Sequence, residues 1–440
     1  MRRSYEHATC TFCGVLCDDI VVWTDGRQVA EVDTHGCSAG RGFFLQERPE
    51  RAPRLRGRAV ALATAIDWAS KLLAQARHAF IMGLSATSSE AQRCAVALAD
   101  ALGASIDAPF SASLGARVLA FQTVGEVSGT LGEVKNRADL IICWGVDPLQ
   151  SHPRLLSRYA LEPAGLFVPG GRADRTLVVV DADWTATAAQ ADWFFQVPPG
   201  EEFEALVALR ARLRGQAVAA TELAGRPAEE WWRLAERLRT ARYGVIFYGP
   251  GRSTAPGQHV GLAQLFALVQ DLHRFTRCIS IPLRGPLGHG NAAGAYKVLT
   301  WQTGYPFAVN LSRGYPRYEP GEFTMDDLLR RGEVDAVLLV GHVATSELSE
   351  PALEALTRMP RVVVGADDPA AEVSIPTATY GIHAAGTMYR LDGVPVQARQ
   401  LIGSELPSDA EVLMQLLERV QGQLSTFKGL PAPIQSPGWL

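Results

Sequence analysis

Four cysteines at the start of the chain, Cys10, Cys13, Cys17 and Cys37, follow the spacing C-x2-C-x3-C-x19-C and account for four of seven cysteines in 440 residues. Three thiols within eight residues can wrap a loop around one face of a metal centre, and the distant fourth closes the cage. Thiolate is a soft ligand suited to iron–sulfur clusters and to zinc. The intervening stretch DDIVVWTDGRQVAEVDTHG reads as two short strands around an Asp25-Gly26 turn, a hairpin that returns Cys37 to the first loop. Disulfides or unpaired thiols are the alternative. No apolar stretch precedes Cys10, and Arg2-Arg3 alone is no export signal, so a cytoplasmic setting and metal or cluster ligation are expected.

The rest of the chain must be an ordinary globular fold. Its hydrophobic fraction is 47% and its charged fraction 20%, and at this length two to four domains are expected. A net charge of −4 with no Lys/Arg block argues against nucleic acid as a partner, and the longest apolar runs are too short to cross a membrane.

Short β-branched runs alternate with helices after the cysteine region. His78 to Met82, Leu140 to Trp144 and Leu177 to Val180 read as strands ending in Gly or Asp, with a helix from Ser88 to Leu102. The pattern restarts at Val245 to Tyr248, Ala336 to Val340 and Val362 to Val364, with a helix through Leu262 to Leu272. Such alternation predicts an α/β fold with multiple doubly wound parallel-sheet domains behind a small N-terminal cysteine-rich β domain. The expected divisions are 1–52, 53–240, 241–400 and 401–440, the last a C-terminal helix and an extended Pro/Gly-rich tail. In the final twenty residues, three prolines and three glycines disfavour a packed helix or strand.

Ligands of open α/β sheets gather at the carboxyl ends of the strands. The loops at Gly83, Gly145, Asp181, Gly249, Gly341 and Asp367 are therefore candidate walls of a cleft, although each Gly or Asp alone also serves a turn. No G-x-G-x-x-G, Walker-type loop, HExxH motif or Ser/His/Asp triad stands out. His152 is either a cleft residue or a packed histidine. Arg284, His289, Arg313 and Arg317 lie in Gly/Pro-rich loops and suit phosphate, carboxylate or inter-chain contacts. Cys94, Cys143 and Cys278 read as core residues.

The cysteine motif followed by Gly40 to Phe43 resembles the molybdopterin oxidoreductase superfamily. The strings TLGEVKNRADLIICWGVDPLQSHPRLLSR, TGYPFAVNLSRGYPRYEPGEF and HAAGTMYRLDGVPV are similar, more narrowly, to the B subunit of formylmethanofuran dehydrogenase, and this resemblance spans essentially the whole chain. That family reduces carbon dioxide at a tungsten or molybdenum centre held by two pterin dinucleotides beside a 4Fe-4S cluster. The resemblance assigns the cluster to Cys10, Cys13, Cys17 and Cys37, a basic residue near the position of Arg41 between cluster and pterin, and the nucleotide ends of the pterins to Asp181 and Asp367.

One segment departs from the family. The metal-ligating cysteine falls in a Ser-Val-Cys-His-Gly context, and the matching residues here read Ser111-Ala112-Ser113-Leu114-Gly115. Serine is a harder, more basic ligand than thiolate, and leucine can neither carry a proton nor polarise a carbonyl. The pattern resembles the formyltransferase/hydrolase complex of methylotrophic bacteria, which implies a non-redox structural subunit without catalytic residues of its own. The same resemblance implies partners (an amidohydrolase-like hydrolase, a formyltransferase and the C subunit) carrying methylofuran, tetrahydromethanopterin and zinc. Tungsto- or molybdopterin is then expected to be absent, and the cysteine site holds an iron–sulfur cluster, zinc or nothing. The alternative is an active tungsten or molybdenum pterin protein with Ser113 as ligand.

Overall fold

The computed structural model describes residues 3–48, 51–249, 257–283, 287–341 and 345–428. The α/β architecture expected from the strand–loop–helix alternation is present, and the strand limits differ from the sequence reading by at most two residues. The strands Arg3–Ala8, Ile20–Thr24 and Val29–Val32 form an antiparallel sheet at the start of the chain. Its second hairpin turns where expected: Asp25 Oδ1 accepts the backbone N–H groups of Arg27 and Gln28 at 2.8 and 2.9 Å, and Gly26 takes a φ of 98°. A side-chain acceptor that satisfies turn donors, beside a residue free to adopt positive φ, makes this reversal local.

The chain divides into two compact units, Met1–Ala112 with Leu287–Leu440, and Ser113–Pro286. The first is built on a nine-stranded sheet. Its parallel centre runs Ser105–Ile106, Ala79–Gly83, Ala336–Val340, Arg361–Gly365 and Val373–Pro376, with short antiparallel strands at both edges. Ala79–Gly83 and Ala336–Val340 are buried along their whole length, as strands covered on both faces must be. The helices Leu62–Gln75, Ser89–Leu102, Ala292–Thr303 and Asp409–Lys428 contribute Ile66, Leu98, Leu299 and Leu416 to the same core. Each such side chain stabilises the unit by about 1.5–3 kcal/mol relative to exposure. The second unit holds a five-stranded parallel sheet in the order Trp193–Gln196, Thr176–Asp181, Leu140–Trp144, Tyr243–Tyr248 and Arg277–Pro282. Trp231, fully buried there, packs on Phe195 and gives its indole N–H to the Leu223 carbonyl at 3.0 Å.

This partition differs from the divisions expected at 52/53 and 240/241. Tyr243–Tyr248 joins Leu140–Trp144 instead of opening a new domain, and Ala79–Gly83 pairs with Ala336–Val340 more than 250 residues away. Parallel strands reach their neighbours through crossovers, so adjacency along the chain is a weak guide to adjacency in the sheet. The C-terminal expectation also changes. The helix Asp409–Lys428 runs on through Gln421, Gly422 and Gln423, where the glycine and proline content argued against a helix. Its buried Val412, Leu413, Leu416 and Val420 dock it in the core, and tertiary burial outweighs the roughly 1 kcal/mol that Gly422 costs a helix. The remainder of the tail, residues 429–440, lies outside the described residues.

Candidate functional site: the cysteine loop and the cleft beside it

The cysteine loop is seated by backbone contacts from distant segments. Phe12 accepts a hydrogen bond from Gly288 N at 2.7 Å, and Gly14 accepts one from Leu391 N at 2.8 Å. Thr9 and Thr11 donate their hydroxyls to the carbonyls of Gln397 and Tyr380, each at 3.0 Å. Gly290 presses against the loop so closely that a Cβ there would stand 2.0 Å from the Thr11 carbonyl oxygen. Gly381, at a φ of 79°, approaches Thr9 O from another segment, with its Cβ position 2.8 Å away. Only glycine permits either approach.

The loop brings Cys13, Cys17 and Cys37 into the neighbourhood of Cys10. Cys10, Cys13 and Cys17 are buried, Cys37 half-buried, and none forms a disulfide. Cys37 caps the helix Ser38–Leu45, its Sγ accepting from Gly40 N at 3.3 Å. A Cβ on Gly40 would stand 3.3 Å from Cys10 Sγ and 3.4 Å from Cys37 Sγ. Burial, and then the charges of Cys13, Cys17 and Cys37, push the Cys10 thiol well above the usual thiol range. The Cys10 thiol, buried among neighbouring thiols, resists ionisation unless a cationic centre compensates it. Among the described residues no three Cys, His, Asp or Glu side chains are arranged to hold a single metal ion.

Beside this loop the first unit contains a cavity of about 1280 Å³. Its walls come from Thr11, Phe12 and Phe43 on the cysteine side and from the strand-end loops at Ala86, Gly341, Gly365 and Ala366. Two of the loops expected from sequence, those after Ala336–Val340 and Arg361–Gly365, thus meet in one cleft. The strand-end glycines allow this crowding: a Cβ on Gly365 would lie 3.1 Å from Gly341 Cα. Asp367 is not in the lining; it pairs with Arg54 at 3.2 Å. Arg41 stands exposed on its helix, also outside the lining. The arginines that do line the cavity are Arg27, Arg48 and Arg51, which the sequence reading did not single out. Arg48 and Arg51 sit in the irregular stretch after the first helix, where the only signal was a local density of Arg and Pro.

His383, Tyr380, Glu405 and Asp409 also line the cavity. Burial and then the neighbouring Arg48 hold His383 below the usual imidazole range, favouring its neutral form. Asp409, buried at the start of its helix, accepts the Thr377 hydroxyl, and burial raises its carboxyl. Tyr380 is buried with its hydroxyl oxygen unpartnered. Cationic groups, a neutral imidazole and strand-end backbone together suit an elongated polar ligand that carries anionic groups.

The segment that departs from the family begins at the helix Ser111–Val124. Asp107, buried, anchors it: Oδ2 accepts the Ser111 hydroxyl at 2.5 Å and Met325 N at 2.9 Å, and Oδ1 accepts Ala308 N at 2.9 Å. Ser113 is half-buried one residue beyond the unit division, and the side chain of Leu114 lies outside the described residues. Burial raises Asp107 from 3.8 to about 6 in spite of its donors. Because its folded value lies above its unfolded one, its contribution to stability is fully present below pH 3.8 and is lost as pH rises through about 6. Urea unfolding of wild type and Asp107→Asn at a series of pH values is expected to show this loss, about 3 kcal/mol in all, in wild type only. A wild-type advantage that grows with pH across this window would contradict it.

The other sequence candidates separate by unit. Asp181 ends its strand in the second unit and accepts Asp183 N at 3.2 Å. His152, also there, is buried with Nδ1 3.0 Å from Ser151 Oγ. His289 is buried in the first unit, bonded to Ser85 Oγ at 2.6 Å and packed edge-on to Phe110. Arg317 donates to Asn310 Oδ1 at 2.6 Å, whereas Arg313 is exposed. Arg284 and residues 250–256 lie outside the described residues. Cys94, Cys143 and Cys278 are buried, as expected of core thiols.

No family model matches the chain. It is 38% identical over 440 aligned residues, 96% of this chain and 100% of the relative, to the B subunit of tungsten-containing formylmethanofuran dehydrogenase 2 of Methanocaldococcus jannaschii. Against the B subunit of the formyltransferase/hydrolase complex of Methylorubrum extorquens the identity is 31%, over 64% of this chain and 73% of that one. The crystal structure of the formyltransferase/hydrolase complex FhcABCD of Methylorubrum extorquens with methylofuran matches with a TM-score of 0.70 at 27% identity, covering 84% of this chain and 99% of that one. Acetylene hydratase of Pelobacter acetylenicus shares the fold, with a TM-score of 0.62 at 12% identity over 94% of this chain and 69% of that one.

Proposed function

Because the chain belongs to the family of formylmethanofuran dehydrogenase B subunits, we propose that it is a non-redox structural subunit of a formyltransferase/hydrolase complex in one-carbon metabolism. The observation that carries this reading is the pair Ser113 and Leu114 at the positions of the family's metal-ligating cysteine and its neighbouring histidine. Formate-level redox chemistry needs a soft ligand that tolerates a change of metal charge and a group that moves the proton. Serine and leucine supply neither. The likeness to the FhcABCD structure supports the same reading. Methylofuran, tetrahydromethanopterin and zinc then act on the partner subunits: an amidohydrolase-like hydrolase, a formyltransferase and the C subunit.

Within this reading Cys10, Cys13, Cys17 and Cys37 hold a 4Fe-4S cluster rather than a lone zinc. Their spacing, the approach of Cys10 and Cys37 to Gly40, and the influence of Cys13, Cys17 and Cys37 on the buried Cys10 support such a centre. A cluster there fastens the cysteine loop and needs no electron partner for that purpose.

A second reading, an active tungsten or molybdenum pterin protein with Ser113 as ligand, is favoured by the cavity and by the full-length likeness to the tungsten-containing relative. One experiment separates the two. Elemental and pterin analysis of the purified complex is expected to find iron and sulfide but no tungsten, molybdenum or pterin, and no formate oxidation with an artificial acceptor. Stoichiometric tungsten or molybdenum together with pterin would replace the first reading by the second.

A further inference from the structure

The second unit carries a basic, apolar-studded edge at the amino end of its sheet, opposite the end where open α/β sheets bind ligands. Tyr243 is paired with Arg277 in parallel register, and Thr276 gives its hydroxyl to the Ala241 carbonyl, so Arg242 and Arg277 lie at the same end of adjacent strands, one register position apart. The charges of Arg137 and Arg277 both act on Tyr243, which brings the end of the helix Leu131–Arg137 to the same place. Lys135, Arg137, Arg242, Arg274 and Arg277 are all exposed.

The carboxylates nearby are turned to internal use. Asp139 is buried, accepts the backbone N–H groups of Arg242 and Tyr243 at 3.0 and 2.9 Å, and pairs with Arg237 at 3.5 Å and, more loosely, with Arg242 at 3.9 Å. Glu133 closes a capping box with Thr130, and Glu236 pairs with Arg239. Lys135, Arg137, Arg274 and Arg277 make no ion pair among the described residues. A net positive edge therefore stands on a chain whose overall charge is −4.

Apolar side chains are exposed between these cations: Leu166 at 76%, Phe167 at 47% and Phe275 at 45%. Arg137 lies 4.6 Å above the Phe167 ring and Arg239 5.9 Å above that of Phe275. Phe167 N donates to the Asn136 carbonyl at 2.8 Å, and a Cβ on Gly165 would stand 2.1 Å from the Lys135 carbonyl oxygen, so the Leu166-Phe167 tip is held against the helix. Arginine stacked on aromatic residues is the composition of protein–protein hot spots.

We propose that this edge is a docking surface for an acidic face of a partner protein in the hetero-oligomeric complex. The proposal rests on the chain being part of such a complex and not on its lacking redox chemistry. Charge complementarity identifies the occupant, since carboxylates of a partner would satisfy the cations of Lys135, Arg137, Arg274 and Arg277, which make no ion pair among the described residues.

The test co-expresses the full chain with the other subunits of its own complex and measures association by size-exclusion chromatography and surface plasmon resonance. The wild-type affinity is expected to fall about tenfold or more as salt rises from roughly 0.05 to 0.5 M. The triple variant Arg242→Glu, Arg274→Glu, Arg277→Glu should weaken binding of one partner by about 100-fold or more, and Leu166→Ser with Phe167→Ser by about tenfold. The milder triple exchange of the same arginines to Gln, whose fold is checked by circular dichroism, should still lose about tenfold. Unchanged affinity in these variants, salt-independent assembly, or a gel shift of duplex RNA with no effect on partner binding would each overturn the proposal. A complex free of tungsten, molybdenum and pterin with intact assembly in the variants would remove the docking surface and leave the non-redox reading standing.

Discussion

Replacing Gly290 by alanine is expected to unseat the cysteine loop. The new methyl carbon would stand 2.0 Å from the Thr11 carbonyl oxygen and 2.8 Å from its carbon, and both belong to backbone that cannot swing aside as a side chain can. Neighbouring bonds resist the shift, since Gly288 N holds Phe12 O and Thr11 is tied to Tyr380. Overpacking of this severity costs about 3 kcal/mol, at the upper end for a single added methyl. The thiols report the outcome directly. In the apo wild type Cys10, Cys13 and Cys17 are buried and their reaction with a thiol reagent is expected to be slow, whereas Gly290→Ala should expose them to fast modification. Iron and sulfide content should fall in parallel. Wild-type thiol protection in a well-folded Gly290→Ala protein would show that the loop is held by something other than this contact.

The second large effect is expected in the second unit, on the helix that carries Ser113. Arg117, one turn further along, donates from Nε to the Tyr248 hydroxyl at 2.8 Å and pairs through its other nitrogen with Glu126, whose side chain is 2% exposed. Tyr248 donates in turn to Glu126 Oε1 at 2.7 Å, which closes a buried triad at the carboxyl end of Tyr243–Tyr248. The Glu126 carboxylate has almost no access to water. Arg117→Met therefore leaves a buried charge uncompensated, at a cost of about 3–5 kcal/mol. The double exchange Arg117→Met, Glu126→Leu removes both charges and should recover most of that loss, because a buried pair contributes little beyond an apolar replacement of similar size. Chemical denaturation of the two single variants and the double variant decides the matter. A single-variant cost below about 1 kcal/mol, or a double variant no better than Arg117→Met, would mean that the triad is solvated.

How much of this was legible in the sequence follows from the range of each signal. The strands Leu140–Trp144 and Ala336–Val340 were readable to the residue because a short apolar run bounded by Gly or Asp is a local pattern. The end of the helix Asp409–Lys428 departs from the local pattern because Gly422 speaks against a helix while Val420 and Leu416 are buried by distant partners. The cavity was half legible. Gly341 and Gly365 announced themselves as strand-end glycines, but Arg48, Arg51 and His383 gave no comparable signal. Arg41 and Asp367 were assigned by likeness to the family, and their side chains are found outside the cavity lining. The family match places them on the chain without saying which way each one faces.

What the amino-acid order determined by itself is the chemistry available: four thiols at a metal-binding spacing, hydrophobic runs that must be buried on both faces, and serine and leucine where the family carries cysteine and histidine. These properties reside in residue identity and in spacings of a few positions. The tertiary structure alone decided which strands share a sheet, that Gly290 and not some other glycine bears on the cysteine loop, and which arginines face the cavity. It also placed Arg137, Arg242 and Arg277 on one edge. Each of these depends on contacts between residues tens to hundreds of positions apart, where the free energy of burial selects the partner and no local periodicity records the choice.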